Sequence, residues 1–136
     1  MTAAAPRGTL PGVDVACPPC VRPLRPPGLF RSDWWCETHG SVPPLQAPRL
    51  PSQRDLASVV ARCGVPAWLP WPLPTGWVLA GVSAVGDERV PAVAVVLALS
   101  GPSLVGGPAD VLLVAEQPGV GLGAMLAGQD DPDPGP

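Results

Sequence analysis

The feature that most constrains this chain is a set of four candidate metal ligands near its start. Cys17 and Cys20 are separated by two residues, and fifteen residues later Cys36 and His39 repeat that spacing. Two intervening residues allow a tight turn to direct both side chains at one ion, and the longer span can fold back as a hairpin. The pattern therefore predicts a zinc-binding module over residues 16–45, with Gly40 easing the turn after the last ligand.

Four protein ligands complete the tetrahedral shell of Zn²⁺ and leave no position for water, so we expect the metal to be structural. Two alternatives to this interpretation are a Cys17–Cys20 redox pair and buried thiols without metal. Neither explains why the second pair repeats the spacing of the first. The fourth cysteine, Cys63, lies on the apolar stripe of a predicted helix, where we expect it to belong to the core.

Proline and glycine are unusually frequent, with 22 and 16 copies in 136 residues. Such a content is typical of disordered chains. However, Lys, Asn, Ile and Tyr are absent, and these residues have codons rich in A and T, which indicates a GC-rich genome as one source of the bias. Together with a mean hydropathy of +0.27, this favours a packed protein.

The charge distribution argues against a general nucleic-acid-binding surface. Net charge is −3, with seven Arg against four carboxylates in residues 1–64 and one Arg against seven carboxylates in the remainder. A basic surface that neutralises phosphate is therefore missing. The start of the chain lacks the apolar stretch of a secretory signal, and the longest apolar run, residues 90–99, is too short to cross a bilayer. We expect a cytoplasmic protein without membrane contact.

Periodicity predicts an α+β fold: an N-terminal zinc ribbon, one amphipathic helix and a small, mostly antiparallel β-sheet. The helix starts after Ser52 and ends at Gly64, because Leu56, Val59, Val60 and Cys63 recur at helical spacing. The predicted strands are 77–86, 90–100 and 110–117. The predicted organisation is a flexible arm (1–15), the zinc-ribbon module (16–45), a Pro-rich connector and helix (46–66), a β-rich domain (67–127) and a disordered acidic tail (128–136).

Tryptophans are concentrated near prolines. Four prolines between residues 66 and 74 enforce an extended course on a segment that carries Trp68, Trp71 and Trp77. We expect these rings to be buried between the sheet and the metal module, the alternative being an exposed docking surface. Trp34 and Trp35 are adjacent, so on a strand one ring points inward and the other outward.

Other candidate sites lack supporting context. Residues 119–124 fit a loose dinucleotide-binding pattern and resemble the pyrophosphate loop of acyl-CoA acetyltransferases, but the chain ends soon afterwards, which favours a Gly-rich turn and a short last element. The only imidazole belongs to the predicted metal site, which disfavours nucleophilic catalysis. Among the carboxylates, Glu116 stands out because it ends a very apolar strand. We therefore predict no catalytic and no cofactor-binding residues.

Several motifs resemble an uncharacterised protein family found in GC-rich, actinobacterial genomes. They are Cys-Pro-Pro-Cys (17–20), Pro-Gly-Leu-Phe (27–30), Trp-Trp-Cys with His-Gly (34–40), Trp-Leu-Pro-Trp-Pro-Leu-Pro-Thr-Gly-Trp (68–77) and Gly-Val-Gly-Leu-Gly (119–123). The resemblance covers residues 16–128 and implies an N-terminal zinc ribbon. Members are sometimes labelled phosphotransacetylase, although this chain is far shorter than enzymes of that name and the resemblance supplies no catalytic residues.

The sequence thus predicts an interaction or regulatory module with a structural zinc and a protein partner. The alternative is a small acyl-CoA- or phosphate-using enzyme that binds its ligand at the Gly-rich C-terminal segment. A third hypothesis is nucleic-acid contact through Arg22, Arg25 and Arg31 together with Trp34 or Trp35.

Overall fold

The computed structural model describes residues 15–49 and 52–129. Almost all of the predicted arm and most of the predicted tail therefore lie outside the described residues. The elements are β1 (Trp35–Cys36), β2 (Gly40–Ser41), α1 (Gln53–Ala61), β3 (Val78–Asp87), β4 (Val90–Pro102), β5 (Pro108–Glu116) and α2 (Leu122–Leu126). Small antiparallel sheets and two short helices confirm the α+β class.

The main sheet is an antiparallel meander of three strands in the order β3-β4-β5. The predicted strands were placed within two residues of these bounds at each end. The pairing of β4 with β5 runs without interruption from Ala94 opposite Glu116 to Pro102 opposite Pro108. Long runs of Val, Leu and Ala favour strands, and the short polar connections between them permit hairpins.

Both faces of this sheet are covered, because successive residues of a strand point to opposite sides. On one face the buried residues Val85, Ala94 and Val96 pack with Leu122 of α2. On the other face Val82, Val95 and Leu97 pack with α1 and with the chain that follows it. This two-sided burial explains why β4 is apolar along most of its length rather than alternating.

The helix prediction needs two corrections. The structure contains a second helix, α2, at the place where the sequence indicated only a short last element. In α1, Leu56 and Val59 pack on the core as predicted, and so does Cys63 just beyond it, but Val60 is exposed and does not share their stripe. Neither of the helices in the described part of the chain is long and apolar enough to cross a membrane.

The Pro-rich segment after the metal module lies along the outer edge of β3. The Gln46 amide donates to the Ala84 carbonyl at 2.8 Å, and Arg49 exchanges two backbone hydrogen bonds with Val82 at 2.8 and 2.9 Å. The Ser83 hydroxyl also donates to the Gln46 carbonyl at 2.6 Å. Residues 44–49 therefore protect the edge of β3 and attach the metal module to the sheet.

The expected burial of the Trp-Pro segment is wrong for two of its three rings. Trp68 and Trp71 are 79% and 73% exposed, because the packing residues of this segment are its small and aliphatic ones, Ala67 and Leu69. Trp77 is half-buried and packs across β4, where a Cβ added to Gly101 would overlap its indole ring.

Candidate metal centre

The structure brings the four predicted ligands together. The Nδ1 atom of His39 lies 3.4 Å from the Cys17 Sγ and 3.7 Å from the Cys36 Sγ, and the Sγ atoms of Cys20 and Cys36 are 3.7 Å apart. All four candidate ligand atoms lie within 4.8 Å of one another. A tetrahedral zinc shell has edges of about 3.6 Å between sulfur and nitrogen and about 3.8 Å between sulfurs, so this donor set fits one ion.

Two similar turns position the ligands. In the first turn the Val21 amide donates to the Cys17 carbonyl at 2.7 Å, and in the second Cys36 pairs with Gly40 at the start of β2. The residue after the second ligand of each turn has a left-handed backbone, with φ of 61° at Val21 and 75° at Gly40. Glycine adopts this conformation freely, whereas a β-branched residue does so only where the surrounding structure imposes it.

A small core surrounds the candidate site. Val15, Leu24 and the two cysteines Cys17 and Cys36 are buried, and Trp34 packs against them. The neighbouring Trp35 faces the other way, where the guanidinium of Arg31 lies 4.3 Å from its ring centroid. The alternation predicted for this Trp pair is confirmed, with Trp34 directed inward and Trp35 outward.

The ligand environment differs between the two buried thiols. Burial raises the pKa of the Cys17 thiol to about 12, and the thiols of Cys20 and Cys36 act in the same direction. Burial also opposes ionisation of Cys36, but hydrogen bonds from the backbone and ring of His39 and from the Thr38 backbone outweigh it and lower its pKa to about 6. Backbone donors aimed at sulfur stabilise a thiolate, the form that binds metal.

The metal module is continuous with the sheet through one backbone ladder. Ala16 and Leu45 exchange hydrogen bonds of 2.9 and 2.8 Å, and Leu45 in turn forms a bridge with Val85 of β3. A second link joins the far end of the module, because Arg89 donates to the Ser32 carbonyl at 2.9 Å. The position of the ligands relative to the sheet is therefore fixed at both ends.

An open cleft of about 420 Å³ separates the metal site from the Gly-rich segment. Its walls are the ring of His39, the two prolines Pro18 and Pro19 of the first turn, and Gln117 and Val120 on the other side. The polar groups on these walls are few, and nothing in their arrangement specifies a ligand.

The amides of the Gly-rich segment are hydrogen-bonded to a carboxylate of the protein itself. Both oxygens of the Glu116 carboxylate accept backbone hydrogen bonds at the start of α2, from Leu122 at 2.9 Å and from Gly123 at 3.1 Å. A phosphate bound at this turn would need the same two amides, which Glu116 already occupies. A Cβ at Gly123 would lie 2.8 Å from a Glu116 oxygen, so a larger residue there would push the carboxylate away from these amides.

Sequence reasoning singled out Glu116 but not its role. The signal that could have revealed the role is the absence of Ser, Thr, Asp or Asn just before the last helix, which leaves its amides in need of an acceptor. The same reasoning missed the backbone donors to Cys36, because any residue other than proline supplies an amide. Asp87 and Glu88 lie at the β3–β4 turn as expected.

We therefore expect Glu116 to stabilise the folded protein by holding the start of α2 against the end of β5. Replacing Glu116 by alanine removes two charge-assisted hydrogen bonds, and we expect it to lower the free energy of unfolding by about 2–3 kcal/mol. Urea denaturation measures this, with Glu88→Ala as the control because Glu88 is an exposed carboxylate in a turn. Equal effects of the two substitutions would contradict the assigned role.

Taken together, the described residues define a small α+β protein that has a Cys₃His cluster able to hold a metal ion. The chain matches the model of a family of unknown function, DUF6758, over residues 12–136, and it belongs to that family. No curated protein and no solved structure matches the chain.

Proposed function

We propose that this protein is a cytoplasmic interaction module in which a structural zinc ion, bound by Cys17, Cys20, Cys36 and His39, holds a zinc ribbon in shape for a protein partner. The observation that carries the proposal is the convergence of four donor atoms within 4.8 Å of one another, three pairs of which lie at the 3.4–3.7 Å separations of a tetrahedral site. Three thiolates and one imidazole favour zinc among the common metal ions. The metal has a structural role here: it fixes the two turns relative to each other.

The surface around this site has features that a partner can use. The hairpin tip between Arg25 and Trp35 exposes Leu29 and Phe30 almost completely, at 98% and 101%. Arg31 is held over the outward ring of Trp35 nearby. Exposed aromatic and arginine side chains on a rigid support are the groups that contribute most to protein–protein binding, so we place the partner at this tip.

Two other functions have less support. Acyl-CoA or phosphate binding at the Gly-rich segment would have to displace the Glu116 carboxylate from the α2 amides. Nucleic-acid binding would draw on arginines that already have partners within the module: Arg22 donates to Thr38 at 3.1 Å, and Arg25 pairs with Glu37 at 2.6 Å. Freeing these side chains would reduce the gain from each phosphate contact.

The metal part of the proposal is tested by native mass spectrometry of the intact chain purified without added metal. One zinc ion per chain is expected. A metal-free protein with unchanged folding, or a different resident metal, would overturn the zinc assignment.

The partner part of the proposal is tested by quantitative affinity purification with the parent chain, Phe30→Ala and Trp68→Ala. Trp68 is a matched control because it is also an exposed aromatic residue, on a different segment. We expect a defined protein that is recovered by the parent and by Trp68→Ala, lost with Phe30→Ala, and then reproduced as a direct complex from purified components. Identical recovery by all three chains would refute the placement at the zinc hairpin.

A further inference from the structure

The two outer edges of the main sheet differ. Residues 44–49 cover the edge of β3 through backbone hydrogen bonds. Along β5, by contrast, the only strand pairing within residues 15–49 and 52–129 is with β4. Among the described residues, the backbone groups of β5 that point away from β4 therefore have no strand partner. An open strand edge of this length is a template for another strand.

The residue pattern of β5 is that of an interior strand. Residues 111–115 read Val-Leu-Leu-Val-Ala, apolar on both sides of the strand, which is typical of strands with neighbours on both edges and both faces covered. As the chain stands alone, Val111 and Leu112, which point to opposite faces, are 39% and 48% exposed. A strand added at this edge would cover apolar surface on both faces at once.

The usual protection of an edge strand is missing from β5. Natural edges are guarded by lysine, by proline within the strand or by charges that remain free. β5 has no Lys or Arg, and its one proline is its first residue, Pro108. Its two charges lie near the ends of the strand and accept hydrogen bonds from the chain itself: the exposed Asp110 from the Ser100 hydroxyl at 2.6 Å, and Glu116 from the α2 amides.

We infer that β5 is a self-association edge, which pairs antiparallel with β5 of a second copy of this chain across a twofold axis. The partner is identified by complementarity: the strand that fits here must be apolar on both faces and uncharged in its middle, and β5 itself has those properties. Antiparallel pairing centred on Leu112 places each Asp110 opposite Val114 and each Glu116 opposite Pro108 of the other copy, so that no two carboxylates face each other. The result is one continuous six-stranded sheet.

Neighbouring apolar residues extend this interface. The turn after β4 exposes Leu104 and Val105 at 106% and 95%, directly before the start of β5. In an antiparallel pair the start of one β5 lies near the end of the other, so this tip approaches the region of α2 of the second copy. Leu126 of α2 is also exposed, at 38%. The inference is independent of the zinc site and of its proposed partner.

The experiment compares the metal-loaded parent chain with Leu112→Lys and Phe30→Lys by sedimentation equilibrium over a range of concentrations. We expect the parent and Phe30→Lys to form a dimer, and Leu112→Lys to remain monomeric at concentrations at which the parent is mostly dimeric. Phe30 is the matched control, because the same change is made at an exposed apolar residue on a different element. Circular dichroism verifies that each variant is folded.

Hydrogen exchange locates the contact. Those amides of residues 109–116 that point away from β4 should gain protection as the parent chain is concentrated, and this gain should be lost in Leu112→Lys and in a second variant, Val111→Lys. A parent chain that stays monomeric at high concentration would overturn the inference, and so would a dimer that both lysine variants leave intact.

Discussion

Replacing Cys36 by serine is expected to abolish metal binding at the Cys₃His cluster and to unfold most of residues 15–49. The Cys36 sulfur lies 3.7 Å from both the Cys20 sulfur and the His39 Nδ1 atom, and Cys36 is fully buried in the small core of the module. Structural zinc sites contribute on the order of 10 kcal/mol to folding. The whole stability of a small domain is about 5–15 kcal/mol.

The loss of structure should extend from the metal module to the adjoining edge of β3 and no further. Leu45 connects Ala16 of the first turn to Val85 of β3, so we expect faster hydrogen exchange in β3 at the edge next to the module. The pairing of β4 with β5 does not depend on the ligands and should keep its protection. Native mass spectrometry reports the metal, and hydrogen exchange reports this gradient.

Cys63→Ala is the matched control for this experiment. Cys63 is also a free, partly buried thiol, but its closest polar contact is the Ala92 carbonyl at 4.0 Å, and it lies outside the four-residue cluster. We expect full metal content and a loss of about 1 kcal/mol. A Cys36→Ser protein that retains one metal ion and the same exchange pattern would refute the assignment.

The metal should also bind more weakly as the pH falls. In the metal-free protein the pKa of Cys17 is raised to about 12, so this thiol is protonated throughout the neutral range and must lose its proton to the solvent when metal binds. Lower pH opposes that loss. Direct titration with Zn²⁺ should therefore give a larger Kd at pH 6 than at pH 8.

The sequence was most informative where a pattern has one structural solution. The spacing of the three cysteines and His39 predicted a cluster that the structure brings together. The long runs of Val, Leu and Ala predicted three strands close to their observed bounds, because such residues favour an extended, buried backbone. Both predictions depend on the types of the side chains, which by themselves restrict where those residues can lie.

What the sequence could not predict depends on tertiary contacts. Residues 44–49 lie on β3 through backbone groups, which every residue except proline possesses in the same form. Trp68 and Trp71 are exposed although tryptophan is usually buried, since Ala67 and Leu69 occupy the inward positions of that segment. The α2 helix has no side chain of its own to accept its first amides, and Glu116 reaches them from the preceding strand.

A single methyl group at Gly101 is expected to destabilise the sheet strongly. Val78 pairs with Ser100 in the β3–β4 register, so Trp77 lies opposite Gly101, and an added Cβ would overlap the indole near its attachment to the backbone. The overlapped ring atoms can move away only by a change of χ1 that takes the indole out of its packing on β4, or by a shift of the main chain. We expect Gly101→Ala to cost about 3 kcal/mol, at the upper end of the range for overpacking, and to lower Tm on the order of 10 °C.

Three further variants separate steric overlap from a general effect of changing glycine: Gly28→Ala, Trp77→Ala and Trp77→Ala combined with Gly101→Ala. Gly28→Ala is the control, since nothing lies within 4 Å of a Cβ at that position, and its effect should stay within about 0.5 kcal/mol. In a Trp77→Ala background the cost of Gly101→Ala should largely disappear, because the two residues interact directly. Thermal unfolding of the four chains completes this double-mutant cycle. If the cost of Gly101→Ala stays the same without the indole ring, the packing of Trp77 on Gly101 is not the reason that β4 requires glycine there.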